Sequence, residues 1–194
     1  MGAGAVQIGL FFTAFSLMTV ILRPLVGWAL DRWGRRPFIL AGFGSYALAM
    51  VAFAFINQWW GIIAARVIQG IASSLLWLSI YAATADLAGE DRRARSFGGI
   101  SQASSQGSIA GAFIGMTILN WPFTIAGMDE FAGKWLVMFL LFALTSGLAF
   151  FLALRGVKET RPVRPAGHVE QPIRWSRAWV LLLLVTFITG ASWA

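Results

Sequence analysis

Gly27-Trp-Ala-Leu-Asp-Arg-Trp-Gly-Arg-Arg36 is a short charged turn set between two long apolar runs, about Ile8 to Leu30 and Pro37 to Ile56. A bilayer core of roughly 30 Å needs about 20 helical residues to cross it. Both runs meet that length, so the turn reads as a connector between two membrane spans. Four further runs follow outward from it: Gly61 to Ala85, Ser96 to Leu119, Trp135 to Leu154, and Ala178 to Ala194. None alternates as a barrel strand would, so all six are expected to be helices. Trp59, Trp60, Trp121, Trp135, Trp175 and Trp179 fall at span ends, where an aromatic belt places them.

Composition agrees. Of 194 residues, 58% are hydrophobic and 12% are charged, against roughly 45–50% and about 25% in an ordinary soluble domain. Mean hydropathy is +0.73. Such a chain cannot cover a soluble surface. A disordered chain, a disulfide scaffold and a nucleic-acid-binding domain are excluded, and a soluble enzyme is disfavoured. Cysteine is absent and His168 is the single histidine. No metal and no cofactor is therefore expected.

Charge sorts by connector. Asp31–Arg36 carries three basic residues, Asp86–Arg95 carries Arg92, Arg93 and Arg95, and Arg155–Arg177 carries six. The intervening connectors, Asn57–Trp60 and Asn120–Lys134, carry one basic residue between them. Basic connectors stay in the cytoplasm. The net charge of +7 is thus a topology signal, with no nucleic-acid partner implied. On this orientation Met1 lies outside, and the expectation is a piece of a longer protein with at least one span before the first.

Each position of the turn has a physical reading. Gly27 allows close helix approach. Asp31 ends a span and can face backbone N–H groups or a helix N-terminus. Gly34 supplies a backbone dihedral that a tight turn needs. Arg32, Arg35 and Arg36 can pair with carboxylates or lipid phosphates.

The stretch resembles the cytoplasmic signature of the major facilitator superfamily, G-x-x-x-D-R/K-x-G-R-R/K, and every fixed position is present: Gly27, Asp31, Arg32, Gly34, Arg35 and Arg36. The resemblance implies that Asp31 contacts a helix of a C-terminal half and holds one state of a transport cycle. A second likeness is Arg66-Val-Ile-Gln-Gly70, similar to the R-x-x-Q-G element of the family's fourth helix. Arg66, Gln69, Gly70, Ser73, Trp77, Tyr81 and Thr84 share about one third of that helix. Arg66 either faces a cavity or partner helix or snorkels outward.

In the fourth span Gly107, Gly111 and Gly115 recur every four residues as a packing stripe, with Ser101, Gln102, Ser105 and Gln106 on another side. The family's antiporters read G-x-x-x-G-P-x-x-G-G here. This chain has Ala112 for the Pro and Met116 for the final Gly. Gln102 and Gln106 fit either helix-to-helix hydrogen bonds or substrate contact. Arg23 and Pro24 interrupt the first span. No acid lies within any span, so Arg23 and Arg66 lack an obvious internal partner.

The expected architecture is an all-α polytopic membrane helix bundle, like the family's N-terminal half without its first helix. Residues 1–154 would supply five spans, 155–177 the cytoplasmic central loop, and 178–194 the start of the C-terminal half. The resemblance implies a secondary active transporter in the cell membrane, working by alternating access. Its partners would be the lipid bilayer, a small-molecule substrate, a coupling ion such as a proton, and the C-terminal half. Efflux of drug-like or sugar-like solutes is the first expectation. Uptake of an organic anion is the second, motivated by Arg23 and Arg66, and a non-transporting membrane interaction protein is the third. An intramembrane enzyme fails because no acid pair or Ser/His dyad lies within the spans.

Overall fold

Among the described residues five helices carry the first five apolar runs, and their ends are set by a few residues. The computed structural model describes residues 4–56 and 58–161. It holds α1 (Ala5–Trp33), α2 (Arg36–Phe55), α3 (Trp59–Leu87), α4 (Arg93–Asn120) and α5 (Glu130–Gly156), with a single 3-10 turn at Glu90–Arg92. The sixth expected span, Ala178–Ala194, lies outside the described residues, as do His168, Trp175 and Trp179.

α1 stops where Gly34, at φ +92°, donates its N–H to the Leu30 carbonyl at 3.0 Å. Pro37 then sits in the first turn of α2, where a missing N–H costs nothing. α5 begins with Asp129 accepting from the Ala132 N–H at 3.0 Å, followed by Glu130 in the first turn. α1 runs on through Pro24 without a break, so the expected interruption is confined to chemistry. The ring removes one backbone donor there.

Four helices, α1, α2, α3 and α5, are long and apolar enough to cross a membrane. α4 has 28 residues, a length of about 42 Å at ~1.5 Å per residue. It is less apolar than the others because serine, glutamine and glycine dilute it. It carries the polar face anticipated for the fourth span.

Close approach of small residues holds the bundle together. In a bilayer, helices gain little from apolar burial and associate through tight packing. α3 is the central member. A Cβ on Gly70 would lie 2.7 Å from the Phe15 carbonyl oxygen and 2.8 Å from Met18 Cβ of α1. The Ser74 hydroxyl donates across the same seam to the Thr19 carbonyl at 3.2 Å. A Cβ on Gly42 would fall 2.7 Å from Leu76 Cβ, so α2 presses equally closely on α3. Ala49, Ala65, Ala72, Ser74 and Ser79 are buried at these contacts. α2 meets α5 through aromatic groups: Trp135 Nε1 donates to the Phe53 carbonyl at 2.7 Å, and the Phe53 and Phe139 rings stack at 5.1 Å.

α4 is attached chiefly near its ends. Gly115, its one buried residue, packs on Met138 Sδ, and Lys134 Nζ of α5 donates to the Leu119 carbonyl at 2.9 Å. Near its other end the Phe97 ring lies 5.8 Å from Tyr81 of α3.

Candidate functional site

The signature turn folds into a clamp centred on Arg35. Its guanidinium is buried and reaches three places. Nε donates to Asp86 Oδ2 at 2.9 Å, at the end of α3. Nη1 donates to the Leu30 carbonyl at 2.6 Å, and Nη2 lies 3.3 Å from Asp31 Oδ1. One side chain thus ties the end of α1 to the end of α3. A buried guanidinium is tolerable because its donors are met by a carboxylate and a carbonyl.

The backbone of the same residue reaches a fourth place. The Arg35 and Arg36 N–H groups donate to Glu159 Oε1 and Oε2, at 2.8 and 3.1 Å. Glu159 follows α5, so its carboxylate caps the N-terminus of α2, where helix amides are otherwise orphaned. Thr160 and Arg161 add their own N–H groups at 3.0 and 2.9 Å. Partial burial pushes the Glu159 carboxyl up. The amides of Arg35, Arg161, Arg36 and Thr160 outweigh it and hold the group below its ordinary value. Arg161 Nη1 also donates to the Arg32 carbonyl at 2.7 Å, and Arg36 Nη2 to the Leu154 carbonyl at 3.1 Å.

Gly34 is what lets the carboxylate in. Its φ of +92° and extended ψ are a glycine conformation. A Cβ there would also collide with Glu159, at 2.6 Å from its Cδ. Of the other signature residues, Gly27 faces Leu78 of α3 at ordinary contact distance, and Arg32 lies exposed with its guanidinium 5.4 Å from the Trp28 ring.

The polar stripe of α3 is a separate region. Arg66 is half-buried between the rings of Phe12 and Phe53, at 5.7 and 5.6 Å. Its Nη1 donates to Gln69 Oε1 at 3.0 Å, and its buried Nε has no partner among the described residues. Ser73 is buried, and Trp77 lies 6.0 Å from Tyr81. Trp77 also lines an open cleft of about 570 Å³ with Tyr46 of α2, Ser104, Gly107 and Ser108 of α4, and Thr145 of α5. Gln102 and Gln106 are exposed on α4 and do not line that cleft, and Arg23 is exposed on α1. Gly107 and Gly111 have no packing neighbour among the described residues, whereas Gly115 does.

Sequence reasoning missed Asp86 and Glu159, the two acids that complete the clamp. In the sequence both are acids lying outside the apolar runs. Glu159 did carry a signal: it is the single acid between Arg155 and Arg161, in a run of basic residues just past a span.

A bundle of membrane-crossing helices with this clamped turn defines a polytopic membrane protein. The family model of the Major Facilitator Superfamily matches residues 1–194. The chain belongs to that superfamily. It is 30% identical over 183 residues to the class G tetracycline resistance protein of Vibrio anguillarum, covering 94% of this chain and 42% of that one. It is 32% identical over 133 residues to the triacylglyceride transporter of Mycobacteroides abscessus, covering 69% and 24%. It is 29% identical over 122 residues to the bacillibactin exporter of Bacillus subtilis, covering 59% and 30%. The chain thus spans less than half the length of these relatives. Membership in a superfamily of transporters points away from enzymatic chemistry.

Proposed function

We propose that this chain forms most of the N-terminal bundle of a secondary transporter that exports a small drug-like molecule by alternating access. Residues 1–154 supply the bundle, 155–177 the central loop, and 178–194 the start of the second half. The observation that carries the direction is the likeness to a relative named as an exporter. The drug-like substrate is supported by the likeness along 94% of this chain to a protein named for tetracycline resistance.

The mechanism follows from the parts. α3 carries Arg66, Gln69, Trp77 and Tyr81 along one face for contact with solute, with Ser73 buried on the same helix. The Arg35 clamp keeps the ends of α1, α2, α3 and α5 together, so the bundle rocks as one body. Asp31, on the same turn, keeps an exposed carboxylate for contact with the opposite half. Ion coupling, by a proton in the first instance, uses carboxylates beyond the described spans. One observation favours a second substrate class: Arg66 Nε, buried and without a partner among the described residues, suits an anionic solute.

The test is gradient-driven transport by the complete transporter in proteoliposomes, across a panel of lipophilic cations, neutral drugs and organic anions. Saturable export of drug-like solutes is expected. Gradient-dependent flux confined to organic anions would favour the second class, and no flux at all would contradict both. Orientation in the cell membrane is tested by Ser96→Cys in the complete transporter with any cysteine outside these 194 residues replaced, since these residues hold none. Cytoplasmic basic connectors require that this residue resist an impermeant maleimide in intact cells.

A further inference from the structure

The end of the bundle that carries the Gly34 turn holds more positive charge than its own acids answer. Asp31 and Asp86 are engaged by Arg35, and Glu159 by four backbone amides. Arg32, Arg36, Arg155 and Lys158 have no carboxylate partner among the described residues. Two of these four belong to the same end of α5: Arg36 Nη2 donates to the carbonyl of Leu154, the residue that precedes Arg155. Arg155 is exposed, and its guanidinium carbon lies 4.2 Å from the centroid of the Phe151 ring.

The surroundings decide what such a pair is for. Phe151 is itself 47% exposed, and Leu144, Leu148 and Leu152 are exposed on the same helix. α5 is one of the helices able to cross a membrane. Arg155 therefore lies against an outward apolar surface, at the level where a spanning helix leaves the hydrocarbon. A guanidinium stacked on a ring keeps its N–H edge available, and that edge matches two phosphate oxygens.

We propose that Arg36 and Arg155 bind the headgroup phosphate of an anionic phospholipid, whose acyl chains run along the Leu148–Leu152 face of α5. A soluble anion would use the charge and leave the apolar rim without a role. A phospholipid uses both. The site rests only on α5 crossing a membrane and stands apart from any solute that the transporter carries. Lipid bound there would bridge α2 and α5 beside the Glu159 clamp.

The experiment is native mass spectrometry of the complete transporter in detergent, with phosphatidylglycerol added against phosphatidylcholine, and with inorganic phosphate as competitor. Phosphatidylglycerol adducts should dominate and persist in millimolar phosphate. Arg155→Gln should reduce them roughly five- to tenfold, the size expected for one interfacial guanidinium. Arg155 makes no hydrogen bond among the described residues, so the variant should fold. Arg155→Lys keeps the charge but loses the paired N–H edge and the ring stacking, so its loss should be intermediate, smaller than that of Arg155→Gln. Equal retention by Arg155→Gln, displacement by inorganic phosphate, equal binding of phosphatidylcholine, or equal loss in both variants would each overturn the proposal.

Discussion

The Arg35 N–H donates to the Glu159 carboxylate at 2.8 Å, across 124 residues of sequence. The segment that follows α5 therefore supplies the cap for α2 and holds the α1–α2 turn in place. Any movement of α5 at this end must either carry α2 along or leave the Arg35 and Arg36 amides without partners and the carboxylate with only those of Thr160 and Arg161. That makes the signature turn a junction of the whole bundle.

Glu159→Gln should weaken this junction. A carboxylate at a helix N-terminus contributes about 0.3–1 kcal/mol, and the amide retains part of that through its carbonyl. The sign of the pH dependence follows from the lowered carboxyl value. The fold favours the anion, so the stabilisation is full at neutral pH. It is lost as pH falls through the folded-state value, on the acid side of the ordinary carboxylate range. Thermal unfolding in detergent should show the natural protein losing stability on acidification, with a flatter profile for Glu159→Gln. Parallel profiles would remove Glu159 from this role.

Gly34→Ala should be more damaging than Glu159→Gln. It forces a non-glycine residue into a glycine conformation and drives a methyl group onto the Glu159 carboxylate. The backbone strain alone is worth roughly 1–3 kcal/mol. Combining Gly34→Ala with Glu159→Ala should recover part of the loss, because the collision is gone and the strain and the lost cap remain. Detergent thermal shifts of the single and double variants measure both terms.

Gly70→Val tests the α1–α3 seam. The added Cβ would stand 2.7 Å from a backbone carbonyl, which cannot move aside as a flexible side chain could. Overpacking of this kind costs about 1–3 kcal/mol. The expected result is a lower monodisperse yield in size-exclusion chromatography, whereas Gly107→Val, with open space around it, should change the yield little. Equal behaviour of the two would mean that the seam does not need a glycine.

The helices and the turn were legible in sequence because each depends on neighbours in the chain. Long apolar runs specify spans, and Gly34 followed by Pro37 specifies where one helix stops and the next starts. The clamp was half legible. Arg35 could be expected to seek a carboxylate, but its partner Asp86 lies 51 residues away and Glu159 lies 124 away. No local pattern records such a distance. Pro24 shows the opposite failure: a local rule for breaking helices is overridden inside a continuous α1. The glycines of α4 show that spacing alone does not decide packing. Gly115 meets Met138, while Gly107 lines the cleft.

Asp31 carries the central claim. Its carboxylate is 55% exposed, and among the described residues its one ion-pair contact is the 3.3 Å approach to Arg35. If it reaches the opposite half of the transporter, Asp31→Asn shifts the balance between transport states. A charge meeting a helix end in a partly buried setting is worth up to about 2 kcal/mol, and about 1.4 kcal/mol is tenfold in that balance. Asp129→Asn is the matched control, because asparagine also serves as an N-cap for α5. The deciding measurement is initial rate of gradient-driven transport by the complete transporter in proteoliposomes, at equal reconstituted amounts. The account predicts a rate tenfold or more below the natural protein for Asp31→Asn and near the natural rate for Asp129→Asn. Equal rates for Asp31→Asn and the natural protein would contradict it.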